Sequence, residues 1–355
     1  MNYRLNRRAF LQTTALLGGA ALAGPLRAAE ATPGTAIMTV RGPVPADQLG
    51  LTLPHEHLTT DFLGAEILPQ PRYDRDEAFN TILPHLKALQ ERGAATLFEC
   101  TPNHIGRDVA LLKRLSEASG LNLVTNTGYY GAVGNKFLPR HAHEESAEQI
   151  AVRWLREWRE GIDGTDVKPG FIKLGTERGK LSALHEKLVR AAARVHRESG
   201  LTIGIHTGDG EAALDELRIL GEEQIAPEAF VWIHAQNDAG PIQVEVAKRG
   251  GWVSLDGYSL ATRNPERYRN MLVALKEAGV LHRVLISHDD GWAVEGDQAR
   301  STGLKLFGNG NPEPFTSIFK RLLPDLKEAG FTEGEIDQLT RRNPAAAFGV
   351  RVRTV

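Results

Sequence analysis

His55 and His57 stand two residues apart in Leu51-Thr52-Leu53-Pro54-His55-Glu56-His57, directly after a short apolar run. On a β-strand residues i and i+2 share a face, so both imidazoles project to the same side. Two neutral imidazoles on one face make a pincer for a transition metal near neutral pH. Spacing alone does not establish that chemistry. His141 and His143 repeat it between Phe137-Leu138-Pro139-Arg140 and Glu144-Glu145, a setting that reads as a loop and a helix start.

Other reactive side chains end apolar runs in the same way. Lys173 lies in Gly170-Phe171-Ile172-Lys173-Leu174-Gly175, His206 closes Ile203-Gly204-Ile205-His206, His234 closes Val231-Trp232-Ile233-His234, and Asp289 follows Leu285-Ile286-Ser287-His288. Each has a plainer reading by itself. A strand-end histidine can be a hydrogen-bonded packing residue, a lysine in an apolar strand must be paired or depressed in pKa, and Asp289 or Asp290 can cap a helix. Six such groups at strand ends fit a metal site better than six coincidences. Cys100, the single cysteine, ends the run from Ala94 to Glu99 and reads as a small buried thiol, with no partner for a disulfide.

The elements that must position these groups follow from apolar patterning. Strand candidates are 50–55, 94–100, 122–127, 170–174, 201–206, 230–234, 252–255 and 283–287. Between them lie amphipathic segments, with Ile150, Trp154 and Trp158 on one helical stripe and Asn264-Pro265 at a helix start. Gly93, Gly120, Gly200, Gly221 and Gly279 suit left-handed helix stops. Eight strands buried on both faces and alternating with helices predict an α/β fold, a (β/α)8 TIM barrel, over a single domain from residue 36 to 355. In a barrel the C-terminal strand ends converge on one mouth; in an open sheet they would be strung along an edge. The segments 257–264 and 290–314, with Gly308-Asn309-Gly310-Asn311-Pro312, are expected as loops shaping a pocket.

Residues 1–31 are set apart from the fold. Asn6-Arg7-Arg8-Ala9-Phe10-Leu11-Gln12 leads into a small-residue apolar stretch too short to span a bilayer, with cleavage sites near Ala28-Ala29 and Ala31. This reads as a twin-arginine export signal and a periplasmic destination. The full chain carries a net charge of −2, and removal of residues 1–29 leaves 38 basic against 44 acidic side chains. Neither value gives a footprint for nucleic acid, and the mature chain offers no membrane segment.

Pro54-His55-Glu56-His57, Ile105-Gly106-Arg107-Asp108, Ile172-Lys173, His206-Thr207, Ile233-His234, Ser287-His288-Asp289 and Asn343-Pro344-Ala345 together resemble the phosphotriesterase family of the amidohydrolase superfamily. The resemblance runs over the whole mature chain. It implies two divalent metal ions, zinc first with cobalt or manganese as alternatives, held by His55, His57 and Asp289 on one side and His206 and His234 on the other. Lys173, N6-carboxylated, would bridge them. It further implies a metal-bridging hydroxide as nucleophile, Asp289 as proton acceptor and donor, and a homodimer.

The expected function is hydrolysis of lactones or carboxylic esters, with weak phosphotriesterase activity. The alternative is a phosphotriesterase (aryldialkylphosphatase) or another phosphate or phosphonate ester hydrolase. The pair that relays protons in phosphotriesterases proper is replaced by Asn237 and Gly257. Gly128-Tyr129-Tyr130 supplies a tyrosine, Tyr130, able to donate to a lactone carbonyl or to pack at the rim. Asp256 is expected either to bond substrate or to hold the loop carrying Arg263. A binding protein without turnover is disfavoured, since it would need no general base at Asp289. The partner is a small-molecule ester or lactone.

Overall fold

The apolar runs become parallel strands wound with helices. The computed structural model describes residues 34–67, 71–259, 265–296, 301–307, 311 and 313–355. The export segment, Arg263, Asn264 and most of 308–312 lie outside the described residues.

A small antiparallel hairpin, β1 (Ala36–Thr39) and β2 (Gly42–Pro45), precedes the barrel. The barrel strands are β3 (Leu51–Glu56), β4 (Ala94–Glu99), β5 (Asn122–Val124), β6 (Asn126–Thr127), β7 (Phe171–Gly175), β8 (Ile203–His206), β9 (Phe230–Ile233), β10 (Trp252–Leu255) and β11 (Val284–Ile286). Every neighbouring pair is parallel, in the orders β3-β4-β5 and β6 through β11. The predicted third strand is thus present but interrupted at Thr125.

Closure between the last strand and the first runs largely through side chains. Ser287 Oγ accepts from the His55 N–H (3.1 Å) and donates to Glu56 Oε1 (2.7 Å). Glu56 also accepts from the N–H of His288 (3.0 Å), from His288 Nδ1 (2.7 Å) and from the N–H of Asp290 (3.0 Å). Backbone bonds from Asp289 to His55 O (3.2 Å) and from His57 to Asp290 O (2.9 Å) complete the seam.

Inside the barrel the two-residue alternation sorts packing from chemistry. Phe98, Phe171 and Phe348 meet at the base, with ring centroids 4.3–5.7 Å apart, together with Val231, Trp252 and Leu285. Two residues further along the same inward faces come Cys100 after Phe98 and Lys173 after Phe171. The helix Asn343–Phe348 plugs this end, its Ala345, Ala346 and Ala347 being buried in the same cluster. Outside, Ile150 and Trp154 are buried and Trp158 partly so, as the stripe predicts.

Two sequence expectations require correction. Gly221 does not stop its helix, which runs Gly210–Glu222; Gln224 takes the left-handed turn, with φ 58°. The segment expected as a loop after Asp290 contains an antiparallel ribbon, β12 (Gly291–Gly296) paired with β13 (Ser301–Phe307). Its strands lie half exposed and carry charges, so they lack the apolar run that marked the barrel strands. Where the other predicted glycine stops fall, Gly93, Gly120, Gly200 and Gly279 have φ between 74° and 87°.

Gly128 is required by close packing beneath the mouth. It sits at φ 120°, and a Cβ there would lie 2.3 Å from the Lys173 carbonyl oxygen. Gly128→Ala is expected to lower unfolding free energy by about 3 kcal/mol, from backbone strain and a clash with a main-chain atom that cannot rotate away. Gly221→Ala, in a helix with nothing within 4 Å of the added carbon, is expected to raise it by about 0.5–1 kcal/mol. Urea unfolding of both variants measures the contrast; equal effects would contradict it.

Candidate metal centre

The strand ends place His55, His57, Lys173, His206, His234 and Asp289 around one mouth. His55 and His57 leave β3 on the same face. Asp289 follows β11, and its carboxylate Oδ1 lies 3.2 Å from His55 Nε2 and 3.2 Å from His57 Nε2. Ligand atoms of these three residues fall within 4.8 Å of one another. His206 at the end of β8 and His234 after β9 meet with ring centroids 4.5 Å apart, and His234 reaches His55 at 5.0 Å. His234 and Asp289 both hold left-handed backbone, φ 64° and 60°, which turns their side chains inward where the strand direction would carry them on.

Rings close a belt around the cavity. From His55 to His57 (5.4 Å) it passes to Phe307 (5.6 Å), Phe62 (5.6 Å), Phe137 (6.2 Å), Tyr130 (5.9 Å) and His206 (4.9 Å), then through His234 back to His55. Four histidines form one side of this belt and four carbocyclic rings the other. The cavity within it measures about 300 Å³, at the lower end of ligand pockets, and opens to solvent. Lys173, Cys100 and Asp289 also line it.

Electrostatics mark the histidine side as unfinished in protein atoms alone. His55 is 1% exposed, yet neither of its ring nitrogens has a hydrogen-bond partner. Burial pulls its pKa to about 4, outweighing Asp256 and Asp289, so the ring is a neutral donor. His206 is lowered too, by burial and then by His234. Lys173 is 1% exposed and forms no ion pair with a described residue; burial lowers its pKa. Burial works against the Asp289 charge, but the His55 and His57 imidazoles beside it prevail and hold the carboxyl well below its usual range.

These features fit a metal. The 3.2 Å spacings from Asp289 to each imidazole match the edge of a tetrahedron, about 3.3 Å, around an ion with bonds of about 2.0 Å. An unpartnered buried imidazole is costly unless an ion completes it. Nitrogen and oxygen donors without a partnered thiolate suit an open site rather than a closed structural one.

Behind these residues lies support that sequence reading missed or placed elsewhere. Asp256 is 0% exposed and does not line this cavity. Its carboxylate accepts from His234 Nδ1 (2.6 Å), from the His234 N–H (3.1 Å) and from Gln236 Nε2 (3.2 Å), and lies 3.7 Å from His55 Nδ1. It therefore neither bonds substrate nor faces solvent, but fixes His234 with Nε2 turned to the mouth. His57 Nδ1 is fixed likewise by Thr101 Oγ1 at 2.7 Å. Asp290 caps no helix; it pins the segment near residue 315 by accepting from the Phe315 N–H (3.0 Å) and Asn311 Nδ2 (3.1 Å).

Tyr130 and Tyr129 diverge. Tyr130 lines the cavity over His206, and burial pushes its phenol up, keeping the proton on. Tyr129 turns away, bonds His141 Nε2 (2.8 Å) and packs on Trp154. The pair His141/His143 therefore lies outside the centre. Asn237 is exposed, and at Gly257 the space for a side chain is filled by Gln236 and Tyr268. Among the described residues no substitute relay stands there.

Loss of a carboxylate behind a metal-binding imidazole typically weakens metal affinity 10–100-fold. Asp256→Asn is expected to lower zinc affinity by about that factor, read by competition with a chromophoric chelator, while circular dichroism stays unchanged. Unaltered affinity would contradict the positioning role.

The comparisons agree with this architecture. A sequence model of the phosphotriesterase family matches residues 35–348. A phosphotriesterase homology protein of Escherichia coli (strain K12) is 30% identical over 305 residues, covering 85% of this chain and 99% of that protein. An aryldialkylphosphatase of Saccharolobus solfataricus is 29% identical over 318 residues, covering 86% and 96%. Among solved structures, one from the molecular engineering of organophosphate hydrolysis activity from a weak promiscuous lactonase template superposes with a TM-score of 0.77 at 30% identity, over 88% of this chain and 100% of that one. With its barrel, its strand-end residues and a match over nearly the whole described chain, the protein belongs to the phosphotriesterase family.

Proposed function

We propose that this metal-dependent hydrolase cleaves lactones or carboxylic esters, acts weakly on phosphotriesters, and reaches the periplasm by the twin-arginine route. The observation that carries the proposal is the fully buried His55, unpartnered at both nitrogens, facing Asp289 beside an unpaired buried Lys173.

His55, His57 and Asp289 would hold one ion in this reading, and His206 and His234 the second. Lys173, whose pKa burial lowers, would add carbon dioxide at Nζ through its free-base form, release one proton and supply an anionic oxygen donor. Two divalent ions, zinc, cobalt or manganese, would supply an acidified water as nucleophile and a Lewis acid for the carbonyl oxygen.

The chain's own groups do the remainder. Asp289, held ionised and open to the cavity, takes a proton as water adds to the carbonyl and returns it to the departing alkoxide. Tyr130 keeps its proton and donates to the carbonyl oxygen, where negative charge develops. Phe62, Phe137 and Phe307 exclude bulk water and bind the apolar part of the substrate. Asp256 and Thr101 hold His234 and His57 in the tautomers that aim Nε2 inward.

Lactone over triester is favoured by Asn237 and Gly257, which leave no proton relay at the end of β10 among the described residues. Phosphotriester cleavage as a lesser activity is supported by the likeness to an aryldialkylphosphatase and to an engineered organophosphate hydrolase. The test is kcat/KM of the metal-reconstituted protein on γ- and δ-lactones beside an aryl dialkyl phosphate. A lactone preference of about a hundredfold, near 2.7 kcal/mol of differential transition-state stabilisation, is expected. The reverse ranking would show that the missing relay is no obstacle to phosphoryl chemistry.

A further inference from the structure

The proposed hydrolysis accounts for the floor of the cavity but not for the composition of its mouth. Large apolar side chains are rarely exposed in this chain, yet Phe62 (44%) and Val133 (59%) both line this cavity, and Leu306 (36%) precedes the lining residue Phe307. Such a rim, continuous with the phenylalanine side of the belt, suits a substrate with an apolar body. Among the described residues, one charge stands in it. Lys136 lines the same cavity, with Nζ 5.6 Å from the centroid of the Phe137 ring.

That ammonium has no protein partner among the described residues. Glu177, which reaches the same loop, bonds the Gly134 N–H (2.7 Å) and makes no ion pair with Lys136. Among the described residues Asp289 is the one carboxylate lining the cavity, and it belongs to the histidine side. The rings lead from one to the other: His57 touches Phe307, Phe307 touches Phe62, Phe62 touches Phe137, and Phe137 carries Lys136. The ammonium is thus held over an aromatic face at the end of an apolar wall that begins at the reacting centre.

We infer that Lys136 is a specificity residue, and that the substrate is an ester or lactone whose apolar body ends in an anionic group, paired with Lys136 at the mouth. The scissile bond in this statement rests on the hydrolase reading above; the anion preference does not. Because Lys136 is exposed, its pair with an anion is partly screened, and a gain of about fivefold in affinity is the scale to look for.

The test separates binding from turnover. Calorimetry compares unreactive straight-chain dicarboxylates, from succinate to sebacate, with monocarboxylates of equal length on the metal-reconstituted protein. At the chain length that spans the wall, the second carboxylate is expected to tighten binding about fivefold, less at high salt. Lys136→Met should abolish the gain and Lys136→Arg retain it, with melting temperatures confirming that both variants fold. No gain at any length, or a gain that survives in Lys136→Met, would overturn the inference. Matched 4-nitrophenyl esters, one ending in a carboxylate and one neutral, then report turnover, and the anionic ester should lose its kcat/KM advantage in Lys136→Met. If every ester and lactone resists cleavage while the calorimetric gain holds, the hydrolase reading fails and the role of Lys136 stands.

Discussion

The Glu56 carboxylate is the contact on which the mouth depends. β3 and β11 close the barrel with few ladder bonds, and Glu56 supplies what the ladder lacks by accepting from Ser287, from two groups of His288 and from Asp290. Burial pushes its carboxyl up to about 8, while these donors favour the charged form. Because alternate residues of a strand face opposite ways, fixing Glu56 on one side of β3 fixes His55 and His57 on the other. The same seam holds the backbone on both sides of Asp289, bringing its Oδ1 equally near both imidazoles. His288 is locked as well, since its Nε2 accepts from the Ile318 N–H (3.0 Å). One carboxylate therefore ties the first strand, the last strand and the segment beyond it into a single frame.

Above that frame the barrel interior changes character within two residues. Phe171 belongs to the packed base and Lys173 to the cavity, while Cys100, two residues beyond Phe98, packs in that base cluster and also lines the cavity. Unpaired polar groups so far from water are expensive, and here they cluster where an ion is proposed to complete them. Asp256 extends the arrangement by standing behind His55 and His234 together, so the two sets of proposed ligands share a support. Burial opposes its charge, but His234 and then His55 hold its carboxyl far below the usual range, leaving it an ionised acceptor for His234 that also lies 3.7 Å from His55 Nδ1.

Much of this was legible in the sequence because the signals were local. Apolar runs ending in His55, His206, His234 and near Asp289 marked strands and their catalytic ends at once, and Lys173 stood out as a charge inside such a run. What sequence could not show depends on contacts between distant segments. Glu56 joins residues 231–234 positions away, and Asp256 reaches back about 20 positions to His234; nothing in their neighbours announces those partners. A glutamate between two inward-facing strand histidines was the available signal for Glu56, since its side chain had to be buried on the opposite face. The β12–β13 ribbon escaped because exposed, charged strands carry no apolar run. Gly221 misled because a glycine near a helix end need not be the residue that turns, and Gln224 turned in its place.

The central claim is that His55, His57, His206, His234 and Asp289, with the unpaired buried Lys173 among them, would hold two ions, Lys173 being carboxylated. Its most direct test is the metal content of the zinc-reconstituted protein together with its carbon-13 spectrum after exchange with labelled bicarbonate. The account predicts two zinc ions per chain and one carbamate carbon signal, both lost on acidification. A single ion or none, with no carbamate signal at saturating zinc and bicarbonate, would contradict it.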